Sequence, residues 1–336
     1  MKAIGFKTSL PITDKDSFIE FDTAIPTPTG RDLLVKITAI SVNPVDFKIR
    51  QNSAKDTVLE TPKIIGWDAV GVVEATGSDV SLFQKGDEVF YAGDITRSGS
   101  NAEYQLVDER IVGRKPQNLT AAEAAAMPLT ALTAWESLFD RIRINDKDKG
   151  KSILILGGAG GVGSIAIQIA KKIAGLTVIA TASRPETAAW CKEMGADVVV
   201  NHRHLVEEVR RAGFRYADFI LDFVDTNAYW DAMADLIKPQ GHIVSITGSS
   251  TPVALNKLKS KSVTFSWELM YTRSSFQTED MQEQHNILNN VSTLLDNGTL
   301  VTTLKTTLRG LTAENLKEAH RLQESGKSIG KTVIVY

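Results

Sequence analysis

The sequence has few of the side chains that build metal sites and disulfides. It contains one cysteine, Cys191, and five histidines among 336 residues, and neither residue type occurs before Cys191. A single cysteine excludes an intrachain disulfide and a multi-cysteine zinc lobe, and it suits a reducing compartment. Because catalytic zinc normally takes histidine or cysteine ligands, we expect no zinc site in the N-terminal part and name no metal ligand.

The sequence also lacks a large excess of either charge and lacks long apolar runs. The formal net charge is -2, and no basic tract occurs, so the sequence offers no electrostatic case for binding nucleic acid or an anionic membrane. No apolar stretch is long enough to cross a bilayer, and the N-terminus lacks the apolar region of a signal peptide. We therefore predict a soluble, cytoplasmic protein with no nucleic-acid or membrane partner.

A glycine-rich turn between a strand and a helix is the most informative feature present. The run Ser152–Leu156 predicts a buried strand, and residues 162–174 repeat apolar side chains at helical spacing. Between them lies G-x-G-x-x-G, formed by Gly158, Gly160 and Gly163. These glycines allow a tight turn, close approach of backbone N–H groups to a pyrophosphate, and close packing of helix on strand. This context predicts dinucleotide binding.

Two other interpretations of the same turn are weaker. A mononucleotide P-loop requires lysine directly after its last glycine, and Ser164 stands there. Glycine-rich turns without a ligand are common, but this one has a predicted strand before it and a predicted helix after it. If the turn binds a dinucleotide, the N-terminus of the following helix is expected to face the phosphates of that ligand.

The end of the next strand selects the cofactor. An NAD-selective fold usually places an acid about 20 residues beyond the glycines, to bind the ribose 2′-hydroxyl. This chain instead has Ser183 and Arg184 there. A hydroxyl and a guanidinium suit a 2′-phosphate, so we predict NADP(H) as the cofactor. The alternative is that Arg184 only begins the next helix.

The rest of the chain suggests two domains of different type. Residues 1 to about 120 predict short strands and an antiparallel, barrel-like unit. From Ser152 onward, strands and helices alternate as in a doubly wound parallel sheet. Val263–Trp267 is its candidate edge strand, which we expect to pair with a second subunit in a homodimer. Thr332–Val335 is expected to return to the N-terminal unit.

Several motifs together resemble the medium-chain dehydrogenase/reductase superfamily, and within it the zinc-free quinone oxidoreductase branch. The resemblance covers essentially the whole chain. It implies an α/β fold in which a Rossmann domain, residues 126–270, is inserted into a β-rich GroES-like domain, residues 1–125 plus 271–336. Besides the glycine turn, the motifs are Ser41–Asp46 (SVNPVD), Gly66–Asp68 (GWD), Gly71–Val73 (GVV), Gly86–Val89 (GDEV), Met127–Ala134 (MPLTALTA) and Gly330–Val333 (GKTV).

The departures from the zinc-dependent relatives indicate the chemistry. In those alcohol dehydrogenases a cysteine occupies the position of Asn43, and a His-Glu pair occupies that of Trp67–Asp68. The resemblance therefore implies metal-free hydride transfer from NADPH to a quinone or an activated alkene. Asn43 is the best candidate catalytic side chain, as a hydrogen-bond donor to the nicotinamide carboxamide or to the acceptor oxygen.

The resemblance also assigns the binding residues. Asp46 is expected to orient the loop or the substrate, or equally to stabilise the fold through a backbone N–H. The aromatic residues are expected to line an acceptor pocket or to belong to the core. The expected cofactor residues are Asn43, Thr130, Gly158, Gly160, Gly161, Val162, Gly163, Ser183, Arg184, His202, Phe223, Val224, Gly248 and Lys331, the last beside the 2′-phosphate. The expected pocket residues are Asp46, Trp67, Tyr91, Trp267 and Tyr271.

Three rival functions stay open at this stage. The nearest is an NADPH-dependent reductase of enone or enal double bonds, which would use the same cofactor pose. A non-catalytic NADPH-binding protein would share the glycine turn but turn over no acceptor. A zinc alcohol dehydrogenase is the least favoured, because two metal-ligand positions carry other residues.

Overall fold

The computed structural model describes residues 1–336 and divides the chain into two compact units. The first comprises Met1–Leu132 and Tyr271–Tyr336, and the second comprises Thr133–Met270. The expected fold class is confirmed, since a doubly wound parallel sheet and a separate β-rich part are both present. None of the helices is both long enough and apolar enough to cross a membrane.

The first unit is built on a seven-stranded sheet in the order β15-β16-β3-β5-β6-β8, with β7 paired to β3, and a three-stranded sheet in the order β2-β1-β4. The C-terminal strand β16 pairs antiparallel with β3. The sequence analysis missed β15, whose alternating side chains are mostly polar. The strands are β1 (Lys2–Phe6), β2 (Ile19–Asp22), β3 (Asp32–Ser41), β4 (Lys63–Ile64), β5 (Asp68–Thr76), β6 (Glu88–Tyr91), β7 (Tyr104–Asp108), β8 (Val112–Arg114), β15 (Leu304–Arg309) and β16 (Lys331–Val335).

The first unit also contains a helix that the sequence analysis did not predict, α1. It starts after Asn43 with proline at its first position, and Asp46 accepts the Asn43 backbone N–H at 2.7 Å. Its apolar periodicity is weak because the buried Arg50 pairs with Glu324 instead of packing as an apolar residue. The helices of this part of the chain are α1 (Pro44–Asn52), α2 (Ala121–Ala125), α9 (Thr272–Phe276), α10 (Glu283–Asp296) and α11 (Ala313–Glu324).

The second unit is a six-stranded parallel sheet in the order β11-β10-β9-β12-β13-β14. The central strand β9 is buried along its whole length, as its apolar run predicts. The predicted edge position of the last strand is confirmed, since β14 pairs only with β13. The strands are β9 (Ser152–Leu156), β10 (Thr177–Thr181), β11 (Val198–Val200), β12 (Ala217–Asp222), β13 (Ile237–Ser245) and β14 (Thr264–Trp267).

Helices α4 to α8 follow strands of this sheet, and α3 precedes its first strand. The helix after the glycine turn continues as a wider π turn over Ile169–Ile173. A further π turn, Glu136–Arg141, follows α3. The remaining helices are α3 (Pro128–Trp135), α4 (Gly161–Gln168), α5 (Pro185–Met194), α6 (Leu205–Arg211), α7 (Thr226–Leu236) and α8 (Asn256–Lys259).

A buried histidine makes the first unit sensitive to acid. His320 of α11 is fully buried, and neither ring nitrogen has a hydrogen-bond partner. Its ring lies edge-on to Phe18, with the centroids 4.9 Å apart. Burial, followed by the charge of Arg50, lowers the pKa of His320 to about 3. The folded protein therefore keeps this imidazole neutral at pH values where the unfolded chain protonates it.

This difference predicts a loss of stability in acid. Because the folded pKa lies below the unfolded value, stability is lost as the pH falls below about 6.5. We expect the free energy of unfolding to fall by about 3 kcal/mol more between pH 7 and pH 4 in the wild type than in His320→Leu. Urea titrations across this range measure it. Parallel curves for the two proteins would contradict the prediction. Asp46, whose pKa is raised to about 7, changes the stability in the opposite direction as the pH falls. Because it does so in both proteins, the difference between them cancels its contribution.

Candidate active site

The glycine turn of the second unit is fixed by the end of β10. Gly157 adopts the left-handed backbone conformation, with φ +82°, that turns the chain after β9. Its N–H donates to Thr181 Oγ1 at 3.0 Å, and the Gly158 N–H donates to the Thr181 carbonyl at 3.2 Å. The turn therefore has a defined shape before any ligand binds.

The three glycines of the G-x-G-x-x-G motif differ in why glycine is needed. A Cβ on Gly158 would lie 2.9 Å from Ala180 Cβ and 3.0 Å from Cys191 Sγ, and one on Gly163 would lie 2.2 Å from the Gly157 carbonyl oxygen. A Cβ on Gly160 would meet only that same oxygen, at 3.5 Å. Packing thus requires glycine at Gly158 and Gly163, whereas Gly160 faces open space. Burial raises the pKa of the Cys191 thiol to about 12, which makes it a packing residue.

The first turn of α4 offers backbone donors to an anion. Gly160 is the N-cap residue and carries no side chain, so Gly161, Val162 and Gly163 begin the helix without a side-chain cap. The first N–H groups of a helix have no intrahelical acceptor and attract phosphate. Ser164 serves the fold, because its Oγ donates to the Gly160 carbonyl at 2.7 Å and accepts from Trp190 Nε1 at 2.8 Å.

An open groove of about 550 Å³ lies at the ends of β10 and β11, and Ser183 and Arg184 line it. The backbone N–H of Arg184 donates to Thr187 Oγ1 at 3.1 Å at the start of α5, and its half-exposed side chain borders the groove. Its Nε lies 3.2 Å from Glu186. Glu208, an acid that lines the groove, pairs with Arg211. A groove with these donors fits the 2′-phosphate of NADP(H).

The other expected cofactor residues of this unit lie at different places. Phe223–Val224 follows β12 and borders the glycine turn, because a Cβ on Gly157 would lie 2.8 Å from Val224 Cγ2. His202 Nδ1 lies 2.9 Å from the Tyr229 hydroxyl. Gly248 is exposed, with nothing within 4 Å of an added Cβ.

The sequence analysis missed a buried acid beside the glycine turn, Asp222. One carboxylate oxygen accepts the N–H groups of Val224 and Asp225 at 3.0 and 3.2 Å. The other accepts the hydroxyls of Thr226 and Ser245, both at 3.0 Å. The carboxylate thus fixes the turns after β12 and β13. Its signal in the sequence is an acid that ends an apolar strand.

The first unit contains a buried polar cluster of Asn43, Asp46, Asp68 and Lys331, here called the Lys331 cluster. The Lys331 ammonium donates to Asn43 Oδ1, to the Val42 carbonyl at 3.1 Å and to Asp68 Oδ2 at 3.3 Å. Asn43 Nδ2 also donates to Asp68 Oδ2, at 2.9 Å. All four residues are at most 2% exposed. Burial lowers the pKa of Lys331, although Asp68 and Asp46 oppose the shift.

The two carboxylates of this cluster hold backbone groups. Asp46 accepts the Asn43 N–H, which is the fold-stabilising alternative considered for it. Burial raises the pKa of Asp46 to about 7. Asp68 Oδ1 accepts the N–H of Leu129, near the start of α3, at 2.8 Å. The cluster therefore ties strand β5, helix α1 and the start of α3 together.

Three of the expected cofactor residues are buried in the first unit and hydrogen-bonded there. The ammonium group of Lys331 makes three contacts, one for each of its donors, to Asn43, to Asp68 and to the Val42 carbonyl. Asn43 is buried, and both ends of its carboxamide are hydrogen-bonded within the cluster, so it offers no strong free donor to a carboxamide or an acceptor. Thr130 is buried, and its hydroxyl donates to the Met127 carbonyl at 3.2 Å.

Three of the four expected pocket aromatics belong to the first unit and one to the second. Trp67 and Tyr271 are buried in the first unit, edge to face, with ring centroids 6.3 Å apart. Tyr91 is a core residue whose hydroxyl donates to Gln105 at 3.0 Å. Trp267 is 49% exposed and lies on the edge strand β14 of the second unit. Within the first unit, Trp67 and Tyr271 are in contact with each other.

The residues present do not fit a catalytic zinc ion. No three His, Cys, Asp or Glu side chains are grouped as metal ligands require. Asn43 and Asp68 are engaged by the ammonium group of Lys331, which would repel a metal cation. We therefore derive no step through zinc.

The known proteins that this chain is similar to are dehydrogenases and oxidoreductases of one kind. Residues 29–126 match the alcohol dehydrogenase GroES-like domain and residues 161–288 match the zinc-binding dehydrogenase domain. The chain is 46% identical over 338 residues to a zinc-type alcohol dehydrogenase-like protein of Staphylococcus aureus, covering 99% of both. It is 35% identical over 241 residues to an Arabidopsis thaliana chloroplastic NADPH-dependent alkenal/one oxidoreductase, covering 70% of this chain and 60% of that protein.

Solved structures agree over the full length. A putative zinc-dependent alcohol dehydrogenase from Rhizobium etli superposes with a TM-score of 0.95 at 50% identity, covering 100% of this chain and 98% of that one. A quinone oxidoreductase from Coxiella burnetii superposes with a TM-score of 0.82 at 27% identity, covering 100% and 99%.

Proposed function

The chain belongs to the medium-chain dehydrogenase/reductase superfamily, whose members named above are oxidoreductases, and we propose that it reduces a quinone with NADPH and without a metal ion. The observation that carries this proposal is the Lys331 cluster. Its ammonium group binds Asn43 and Asp68, so these side chains are not available to polarise an alcohol or aldehyde through zinc. Quinones and conjugated carbonyls accept hydride without such polarisation.

The second unit provides the proposed cofactor site. Gly160, Gly161 and Val162 would hold the pyrophosphate at the start of α4, and Ser183 and Arg184 would hold the 2′-phosphate. When bound, NADPH supplies the hydride. The protein's part is to fix the reactants in a near-attack arrangement and to stabilise charge on the acceptor oxygen.

A second candidate function is reduction of enone or enal double bonds. It is favoured by the 35% identity to the alkenal/one oxidoreductase of Arabidopsis thaliana. The same residues would serve, because the hydride again enters a carbon conjugated to a carbonyl group.

We also propose a homodimer formed through the edge strand β14. Its backbone is unpaired on one side, and Trp267 and Leu269 beside it are 49% and 52% exposed. Exposed apolar side chains at an open sheet edge favour pairing with a second copy.

Steady-state oxidation of NADPH by the purified protein, with a panel of quinones, enones and enals, tests the function. The ratio of kcat/KM between the two acceptor classes separates the two candidates. Tight NADPH binding without turnover of any acceptor would indicate the non-catalytic protein instead. Stoichiometric zinc in protein purified without chelators would contradict the metal-free proposal.

The 2′-phosphate contact gives a prediction for Arg184. In Arg184→Ala we expect KM for NADPH to rise about 10- to 100-fold, because a charge-assisted hydrogen bond contributes about 1.5–3 kcal/mol. KM for NADH should stay unchanged, since NADH lacks the phosphate. Arg210→Ala is the matched control, because Arg210 is paired with Asp235 at 2.9 Å and does not line the groove. Equal losses for both cofactors would contradict the assignment.

A further inference from the structure

A single side chain, Asn227, holds the exposed loop that follows β13 in the second unit. All hydrogen bonds between residues 249–251 and the rest of the chain go to its carboxamide. Asn227 Oδ1 accepts the Ser250 N–H at 2.8 Å, and Nδ2 donates to the Thr251 carbonyl at 3.0 Å and to its hydroxyl at 2.9 Å. Residues 248–251, here called the β13 loop, are exposed, so burial contributes little to their position.

The chain on either side of the β13 loop is also fixed to helix α7, which carries Asn227. Before the loop, Thr247 Oγ1 accepts the Thr226 N–H at 3.1 Å. After the loop, the Ala254 carbonyl accepts Trp230 Nε1–H at 3.2 Å. Helix α7 is therefore a rigid support for both ends, and Asn227 determines the shape of the loop between them.

The β13 loop presents backbone donors next to open space. The N–H groups of Gly248 and Ser249 have no acceptor in the chain, and an added Cβ on Gly248 would meet no atom within 4 Å. A groove of about 350 Å³ continues along residues 249–253. Amide and hydroxyl groups around open space fit a ligand that carries several oxygen atoms.

The position of the β13 loop in the sheet indicates which part of a dinucleotide it would meet. The chain runs from β9 to β10 and β11 on one side, and then to β12 and β13 on the other. Ligands bind outside the carboxyl ends of the strands at such a reversal. The groove of Ser183 and Arg184 lies on the β10 side. A dinucleotide with its 2′-phosphate there and its pyrophosphate at the glycine turn extends its other half towards β12 and β13.

We propose that Asn227 is a positioning residue that holds the β13 loop in the conformation that binds the nicotinamide riboside half of the cofactor. This inference rests on the proposed function, because it takes NADPH as the cofactor. The N–H groups of Gly248 and Ser249 donate to oxygen atoms of the nicotinamide riboside. Asn227 itself does not touch the ligand. It orders the loop in advance, so the cofactor does not have to do so on binding.

The test compares the dissociation constants of Asn227→Ala and the wild type for three ligands by isothermal titration calorimetry. NADPH and NADH contain nicotinamide riboside, whereas adenosine 2′,5′-bisphosphate contains only the adenosine half. We expect Asn227→Ala to bind NADPH and NADH roughly tenfold more weakly, because each must then order the loop. Its affinity for the bisphosphate should equal that of the wild type. Equal losses for all three ligands, or no loss for NADPH and NADH, would overturn the inference.

Asn145→Ala is the matched control, because Asn145 is an exposed asparagine that also holds a loop of the second unit. Its Oδ1 accepts the Lys147 N–H and its Nδ2 donates to the Arg143 carbonyl, both at 3.2 Å. This loop precedes β9 and so lies at the amino ends of the strands. The control should leave all three dissociation constants unchanged. A loss of NADH affinity as large as that of Asn227→Ala would overturn the inference.

These measurements also separate the inference from the proposed function, because binding does not depend on turnover. If the wild type bound NADPH but reduced no quinone or enone, the proposed reaction would fail, and the Asn227→Ala result would still decide the inference. Arg184→Ala should show the complementary pattern, with weaker binding of NADPH and the bisphosphate and unchanged binding of NADH. Wild-type affinities in Asn227→Ala would overturn the inference while the proposed function stands.

Discussion

Gly163→Ala is expected to unfold the second unit or to destabilise it by about 3 kcal/mol or more. The added Cβ would lie 2.2 Å from the Gly157 carbonyl oxygen and 2.8 Å from Gly158 Cα. These are backbone atoms held by Thr181, so α4 would have to move away from β9. Urea unfolding followed by far-UV circular dichroism measures the loss.

Gly160→Ala is the matched variant and should behave differently. Gly160 has φ -73° and ψ 176°, which alanine adopts without strain, and its added Cβ meets only one atom, at 3.5 Å. Stability should change by no more than about 0.5 kcal/mol. The methyl group would stand where the proposed site places the pyrophosphate, so the dissociation constant of NADPH should rise at least tenfold. Equal stability losses in the two variants would contradict the distinction.

Lys331→Met is the second substitution with a large expected effect. It leaves the Asp68 carboxylate buried beside Asp46 without a cation, and removing one partner of a buried ion pair costs about 3–5 kcal/mol. Chemical unfolding of the variant and the wild type measures this cost. Replacing Asp68 with asparagine in the same protein removes the uncompensated charge and keeps an acceptor for the Leu129 N–H.

The double variant Lys331→Met/Asp68→Asn should therefore regain a large part of the lost stability. A double-mutant cycle isolates the coupling between the two residues. Strictly additive effects would show that Lys331 contributes only through packing. If Lys331→Met were as stable as the wild type, the proposed role of the whole Lys331 cluster would be contradicted.

Most of the Rossmann-type sheet was predictable because its signals are local. The central strands β9, β10 and β12 are apolar runs, and the glycine motif from Gly158 to Gly163 is recognisable because a strand precedes it and a helix follows it. Helix α1 escaped prediction because its buried face includes Arg50, whose partner Glu324 lies far along the chain. Strand β15 was missed because most of its side chains are polar and form no apolar face that the sequence could reveal. Its half-buried side chains are covered only because the strand pairs with β16.

The sequence by itself determined the fold class and the place of the glycine turn, because spacing and residue type suffice for both. Only the tertiary structure decided which polar side chains have partners. Lys331 lies far along the chain from Asn43 and Asp68, yet strand pairing buries the three together. The partners of Asn227 likewise depend on its neighbours in space. Hydrogen-bond satisfaction is a three-dimensional property that no local pattern encodes.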